Sequence, residues 1–149
     1  MEVKEENGEE PRGYGYRVDE VEEKVREALR GTSNKSAPGP DGISYRFIKV
    51  VLDMRLGKEL IREIAKSLKE GQVPEEWQWS KVVFIPKLNK DHKAAKGWRP
   101  INLINYVGKL IEKVVTDELQ EAGLFHKGQY GGIKGRSALE AMTHTLTRA

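Results

Sequence analysis

Two cations, Lys87 and Arg99, bracket a loop in the stretch KVVFIPKLNKDHKAAKGWRPINLINYVGKLIEKVV, residues 81–115. Lys87 closes one apolar run and Arg99 opens the next, so the loop between them brings an ammonium and a guanidinium near each other. That pair suits phosphate: the planar fork of Arg takes two oxygens at once, and Lys adds a compact point charge. Lys81 precedes the pair and Lys90, Lys93 and Lys96 lie within it, against Asp91 alone. An excess of five positive charges over residues 81–99 points to a polyanionic partner. The alternative is a solvated basic loop.

The elements that must hold these cations are legible around them. Val82 to Ile85 form an unbroken apolar run, read as a strand buried on both faces, with Pro86 expected to end its pairing. Arg99 to Leu103 are expected to pair back antiparallel. Asn105 reads as the N-cap of a helix whose apolar stripe is Val107, Leu110, Ile111, Val114, Val115 and Leu119, stopped by Gly123. Upstream, Val18, Val21, Val25, Ala28 and Leu29 share a helical face that ends near Gly31. KSAPGPDG, residues 35–42, is a tight-turn sequence that also reads as an ordinary linker. Tyr45, Phe47, Ile48, Val51 and Leu52 predict a short helix. Leu56, Leu60, Ile61, Ile64, Ala65 and Leu68 predict a longer one that Gly71 ends. Trp77 and Trp79 follow a turn at Val73–Pro74, where stacking on bases and packing against the strand are both open. Ser137 and Glu140 have the spacing of a capping box. The helix it starts runs to Ala149 with no stop signal, as though the chain were cut.

Composition narrows the class. The 149 residues suffice for one domain with a core. With no Cys, disulfides and thiolate metal sites are excluded, and His92, His126 and His144 have no ligand spacing. No apolar run matches a membrane span and the N-terminus lacks a signal-peptide segment, so no membrane association is expected and an intracellular setting is. The net charge of +3 conceals a split. Residues 1–16 carry −3 and read as an acidic disordered tail, while the rest carries +6.

Four segments, KSAPGPDGISYRFIK, GQVPEEWQWSKVVFIPK, GWRPINLINYVGKLIEKVV and QYGGIKGRSALEAM, occur in an order and at distances that resemble the start of a reverse transcriptase domain. The resemblance is to the enzymes of non-LTR (LINE-type) retrotransposons. Group II intron maturases share the first segments but continue differently after the Arg-Pro step. What the resemblance implies is an α+β fold, mainly helical with a small antiparallel β-hairpin, as in the fingers subdomain of a right-hand polymerase. It implies that residues 17–149 are a partial reverse transcriptase domain ending before the palm. In that family the Lys and Arg at the positions of Lys87 and Arg99 contact the incoming nucleotide's triphosphate. Lys81, Lys90, Lys93, Lys96, Lys134 and Arg136 are then candidate nucleic-acid contacts. The GQYGGIKGR segment resembles the family's template motif, although Ile133 follows Gly132 where many members continue Phe-Arg.

Polymerase chemistry uses two metal ions held by carboxylates. The family carries these in a later Asp-bearing strand and an aromatic-x-Asp-Asp turn. This chain has no Asp after Asp117 and no Asp-Asp pair. No catalytic or metal-binding residue and no cofactor is therefore expected in it; Mg²⁺ and deoxynucleotide belong to the complete polymerase. RNA template, DNA primer and the missing palm and thumb are the expected partners. Two readings follow: an N-terminal fragment of an RNA-directed DNA polymerase, not expected to polymerise alone, or a non-catalytic nucleic-acid-binding module. A decayed retroelement remnant is the third.

Overall fold

The structure is a computed structural model and describes residues 15–147. The acidic tail expected over residues 1–16 thus falls outside the described residues apart from Gly15 and Tyr16. The chain divides into two compact units, residues 1–111 and 112–149. It is mixed helix and strand, as expected.

In the first unit, α1 (Val18–Arg30), α2 (Tyr45–Val51) and α3 (Arg55–Glu70) pack on one another. Their apolar stripes make the core: Val21, Val25, Ala28 and Leu29, then Ile48, Val51 and Leu52, then Ile61, Ile64 and Ala65. The stripe edges stay wet. Val18, Phe47 and Leu56, expected on the inner faces, are exposed. Gly57 is required by close approach, since a Cβ there would stand 2.5 Å from the Leu52 Cα. Arg26 ties α1 to the turn after α2 by donating to Glu22, Asp53 and the Leu52 carbonyl. Its pKa is raised, chiefly by the Glu22 bond. Gly71 ends α3 in the left-handed conformation at φ 65°.

A one-turn helix, α4 (Glu75–Gln78), leads into the sheet, which consists of β1 (Ser80–Pro86) and β2 (Trp98–Ile104) paired antiparallel. The register sets Ser80 opposite Ile104, Ile85 opposite Arg99 and Pro86 opposite Trp98. One expectation fails here. Val82, Phe84, Ile85 and Ile101 are exposed and Val83 is only half-buried, so the strand is not buried on either face. An apolar run reports β-propensity as well as burial, and among the described residues no second layer covers this two-stranded sheet.

Pro86 is the last residue of β1, as expected, and a single bond follows it. The Lys87 N–H donates to the Gly97 carbonyl at 2.8 Å while the Gly97 N–H turns back to Ala94, so a single bond at 87–97 sets the phase of the ladder. Alternation then makes 86–98 and 84–100 non-hydrogen-bonded pairs, whose N–H groups point away from the partner strand. Pro86 and Pro100 therefore cost the ladder nothing; their missing donors lie on the outer edges.

β2 leads directly into α5 (Tyr106–Glu121), which runs from the first unit into the second. Val107, Leu110, Ile111 and Val114 are buried as expected, whereas Leu119 is exposed. Gly123 follows at φ 68°. The second unit continues through a turn-rich segment to α6 (Ala138–Leu146), which starts at the expected capping box: the Ser137 side chain accepts from the Glu140 N–H, and the Glu140 carboxylate accepts from the Ser137 N–H at 2.6 Å. No helix among the described residues is long and apolar enough to cross a membrane.

Candidate nucleotide and nucleic-acid interface

The hairpin register decides which cations meet. Directly opposite residues share a face, and faces alternate along a strand. Lys81, Val83, Ile85 and Lys87 therefore share one face with Arg99, Ile101 and Leu103. Lys87 and Arg99 are diagonal neighbours on it, a relation that puts residues about 7–8 Å apart with their Cβ atoms somewhat closer. Lys81 lies on the same face at the other end, opposite Leu103. Val82, Phe84, Pro86, Trp98, Pro100 and Asn102 form the other face. A two-residue alternation that sequence shows only as apolar thus becomes one cationic end on one side of a ribbon.

The loop between the strands is held by its own polar groups. The Lys87 ammonium donates to the Lys96 carbonyl at 3.0 Å, and the His92 Nε2 lies 3.0 Å from the Lys87 carbonyl. The Trp98 indole donates to the His92 carbonyl at 2.9 Å, with the two rings tilted at 5.5 Å. Gly97 closes the 3₁₀ turn Ala95–Gly97, and a side chain there would strike the Asp91 carbonyl. Asp91, the segment's one carboxylate, accepts from the Lys93 N–H at 2.9 Å in its own turn. Lys81, Lys90, Lys93, Lys96 and Arg99 are exposed and Lys87 is half-buried. Among the described residues none of these six cations pairs with a carboxylate. The arrangement can take an anion without first breaking an ion pair.

The base of the hairpin is clamped by residues that sequence reading did not single out for this purpose. Asn105 precedes α5 as expected of a cap. Its buried side chain, however, accepts from the Asp41 N–H at 3.3 Å and donates to the Glu76 carbonyl at 2.6 Å. It joins the APGPDG loop, α4 and the end of β2. Gly39 lies so close that a Cβ would stand 2.7 Å from the Asn105 Cα, which is why this turn needs glycine there. The Tyr106 hydroxyl donates to the Ala37 carbonyl at 2.6 Å, and its ring stacks on Tyr45 at 3.7 Å. Burial raises the pKa of both tyrosines; nearby Asp41 adds to the rise at Tyr106. Gly108 passes under α4, its Cβ position 2.7 Å from the Trp77 carbonyl. The turn sequence thus proves to be a docked loop rather than a linker. Trp77 is half-buried and Trp79 is exposed.

Lys134 and Arg136 belong to the second unit. Arg136 turns its guanidinium onto the carbonyls of His126, Lys127 and Gln129, and stands 5.9 Å from the Tyr130 ring. Its charge closes its own loop. Lys134 is exposed, and its carbonyl accepts from Gln120 at 3.1 Å. Gly132 and Gly135 adopt φ 75° and 81° with open space at their Cβ positions, so backbone geometry rather than crowding requires glycine at both. Among the described residues no three His, Asp or Glu side chains are grouped to hold a metal ion.

No family model matches the chain. Individual proteins do. It is 26% identical over 120 residues, 79% of its length, to a 149 kDa protein of transposon TX1 from Xenopus laevis. It is 28% identical over 109 residues, 73% of its length, to a retrovirus-related Pol polyprotein of the type-1 retrotransposable element R2 from Popillia japonica. It is 26% identical over 98 residues, 65% of its length, to the RNA-directed DNA polymerase of the mobile element jockey from Drosophila melanogaster. The chain spans only 9%, 14% and 10% of the length of these three relatives. It is similar over most of its own length to non-LTR retrotransposon reverse transcriptase and Pol proteins, as its motifs suggest.

Proposed function

We propose, from this similarity to non-LTR reverse transcriptases, that the chain is the fingers part of an RNA-directed DNA polymerase and does not polymerise alone. The observation that carries the reading is the shared face of Lys87 and Arg99 at the loop end of the hairpin. Lys87 and Arg99 bind the triphosphate of the incoming deoxynucleotide, the fork fixing orientation and the ammonium neutralising charge. Lys81, Lys90, Lys93 and Lys96 contact the nucleic-acid backbone, and Lys134 is a separate candidate contact. Arg136 serves there by shaping its loop. The carboxylates that hold Mg²⁺ come from the remainder of the polymerase, together with the RNA template and DNA primer sites.

The test is equilibrium binding of a labelled RNA–DNA primer–template and of deoxynucleotide to the chain and to K87A and R99A. Each lost charged hydrogen bond is worth about 1.5–3 kcal/mol, roughly tenfold to a hundredfold in Kd. Unchanged binding in both variants sinks the assignment. A non-catalytic binding module is the second reading, favoured by the first unit's own buried core. Primer extension by the protein in its full reading frame separates the two, since only the polymerase reading predicts product.

A further inference from the structure

Helix α3 carries a second cationic surface, unrelated to the hairpin. Arg55, Lys58, Arg62, Lys66 and Lys69 recur at intervals of three and four residues. At 3.6 residues per turn they fall within an arc of about 80°. All five are exposed, in a strip that borders the buried Ala65 and turns away from Ile61 and Ile64. The three carboxylates of the helix, Glu59, Glu63 and Glu70, fall in a separate neighbouring strip rather than among the cations. Arg55 pairs with Glu59 at 3.6 Å. Among the described residues, Lys58, Arg62, Lys66 and Lys69 have no carboxylate within ion-pair distance.

A solvated helix normally intersperses opposite charges at i, i+4, which stabilises it by a few tenths of a kcal/mol per pair. In α3 that pattern holds only at the ends of the strip, for Arg55 with Glu59 and Lys66 with Glu70; in the middle Lys58 stands against Arg62 and Arg62 against Lys66 at the same spacing, where repulsion costs a similar amount. The cost is recovered when a polyanion lies along the strip. From Arg55 to Lys69 the strip is about 21 Å long at 1.5 Å per residue. A small anion would span only two of its cations. One strand of duplex, with a phosphate about every 3.4 Å of axis, offers about six phosphates over that length. We propose that the exposed face of α3 binds the backbone of a nucleic-acid strand, sequence-independently, as a site separate from Lys87 and Arg99.

The test is the salt dependence of binding of a single-stranded RNA homopolymer and of a DNA duplex to the chain. In K58Q/R62Q/K66Q/K69Q the slope of log K against log salt should become shallower by roughly 0.7 per lost contact on the single strand and 0.9 on the duplex. Gln keeps helix propensity close to Lys and Arg, and circular dichroism checks the fold. The opposite variant, E59Q/E63Q/E70Q, should tighten binding at low salt. K87A/R99A should leave the slope change between the parent and the α3 variant intact. An unchanged slope in the α3 variant overturns this inference and leaves the hairpin reading standing; loss from α3 alone does the reverse. Binding by the chain to vesicles with anionic headgroups but not to either nucleic acid also overturns it.

Discussion

Replacing Asn105 with Ala tests how the cationic hairpin is held to the helical body. The side chain is 3% exposed and makes two bonds, from the Asp41 N–H at 3.3 Å and to the Glu76 carbonyl at 2.6 Å. Each is worth about 1 kcal/mol net, and more if the partner left behind stays dry. Removing both, with the small void the amide leaves, should cost about 2–4 kcal/mol of unfolding free energy. Urea titration reads this as a lower midpoint at unchanged slope. N105D is the sharper variant. It keeps the acceptor toward Asp41 but points a carboxylate at the Glu76 carbonyl, which raises the pKa of the new group. The sign follows: the neutral acid can donate, so the N105D protein should gain stability as pH falls through that raised pKa and lose it above. Nucleotide affinity should fall in both variants because the base of the hairpin loosens. If N105A lies within about 0.5 kcal/mol of the parent, a typical exposed-site effect, the clamp does not exist as described.

Three further outcomes follow from the geometry. G57A should destabilise by about 1–3 kcal/mol, although Gly to Ala inside a helix ordinarily stabilises by roughly 1 kcal/mol, because the new methyl meets the backbone at Val51–Leu52; thermal unfolding gives the sign directly. Amide exchange in β1 and β2 should be much faster than in the buried turns of α1 and α3, since an uncovered two-stranded ribbon is marginal in water; equal protection would mean that something covers the hairpin. With the Tyr45 and Tyr106 pKa values raised above the ordinary 10.0, folding stability should hold below about pH 10 and decline as pH rises through the raised values. Y106F should soften that decline while losing the bond to Ala37.

The parts of this chain that read well from sequence are those where a local rule suffices. Val21, Val25, Ala28 and Leu29 repeat at helical spacing, Gly71 and Gly123 mark helix ends, and Ser137 with Glu140 specifies its own cap. That the loop brings Lys87 and Arg99 to one end of a hairpin was legible too, because a basic loop between two apolar runs admits few other arrangements. What sequence did not disclose depends on partners distant along the chain. Asn105 looks like a cap because its usual bond is local; only the fold brings Asp41 and Glu76 to it. Val82–Ile85 looks buried because an apolar run says nothing about what covers it. Pro86 ends β1 as its letter suggests, but only the register shows that its absent N–H points to the outer edge. The α3 cations repeat at three and four residues, a spacing they share with the apolar stripe beside them, so letters alone do not separate a binding strip from a solvated face.

The placement of Pro86 and Pro100 bears on how this ribbon survives in solution. A short, uncovered hairpin with Phe84, Val82 and Ile101 exposed is the sort of template on which chains add strand to strand. Each outer edge here lacks one donor: β1 at Pro86 and β2 at Pro100. An incoming strand would find a gap in either row of hydrogen bonds, while Lys81 and Lys87 on one strand and Arg99 on the other repel a second copy. The hairpin can therefore keep both apolar faces open toward a nucleic-acid or protein surface without seeding its own polymerisation into fibrils.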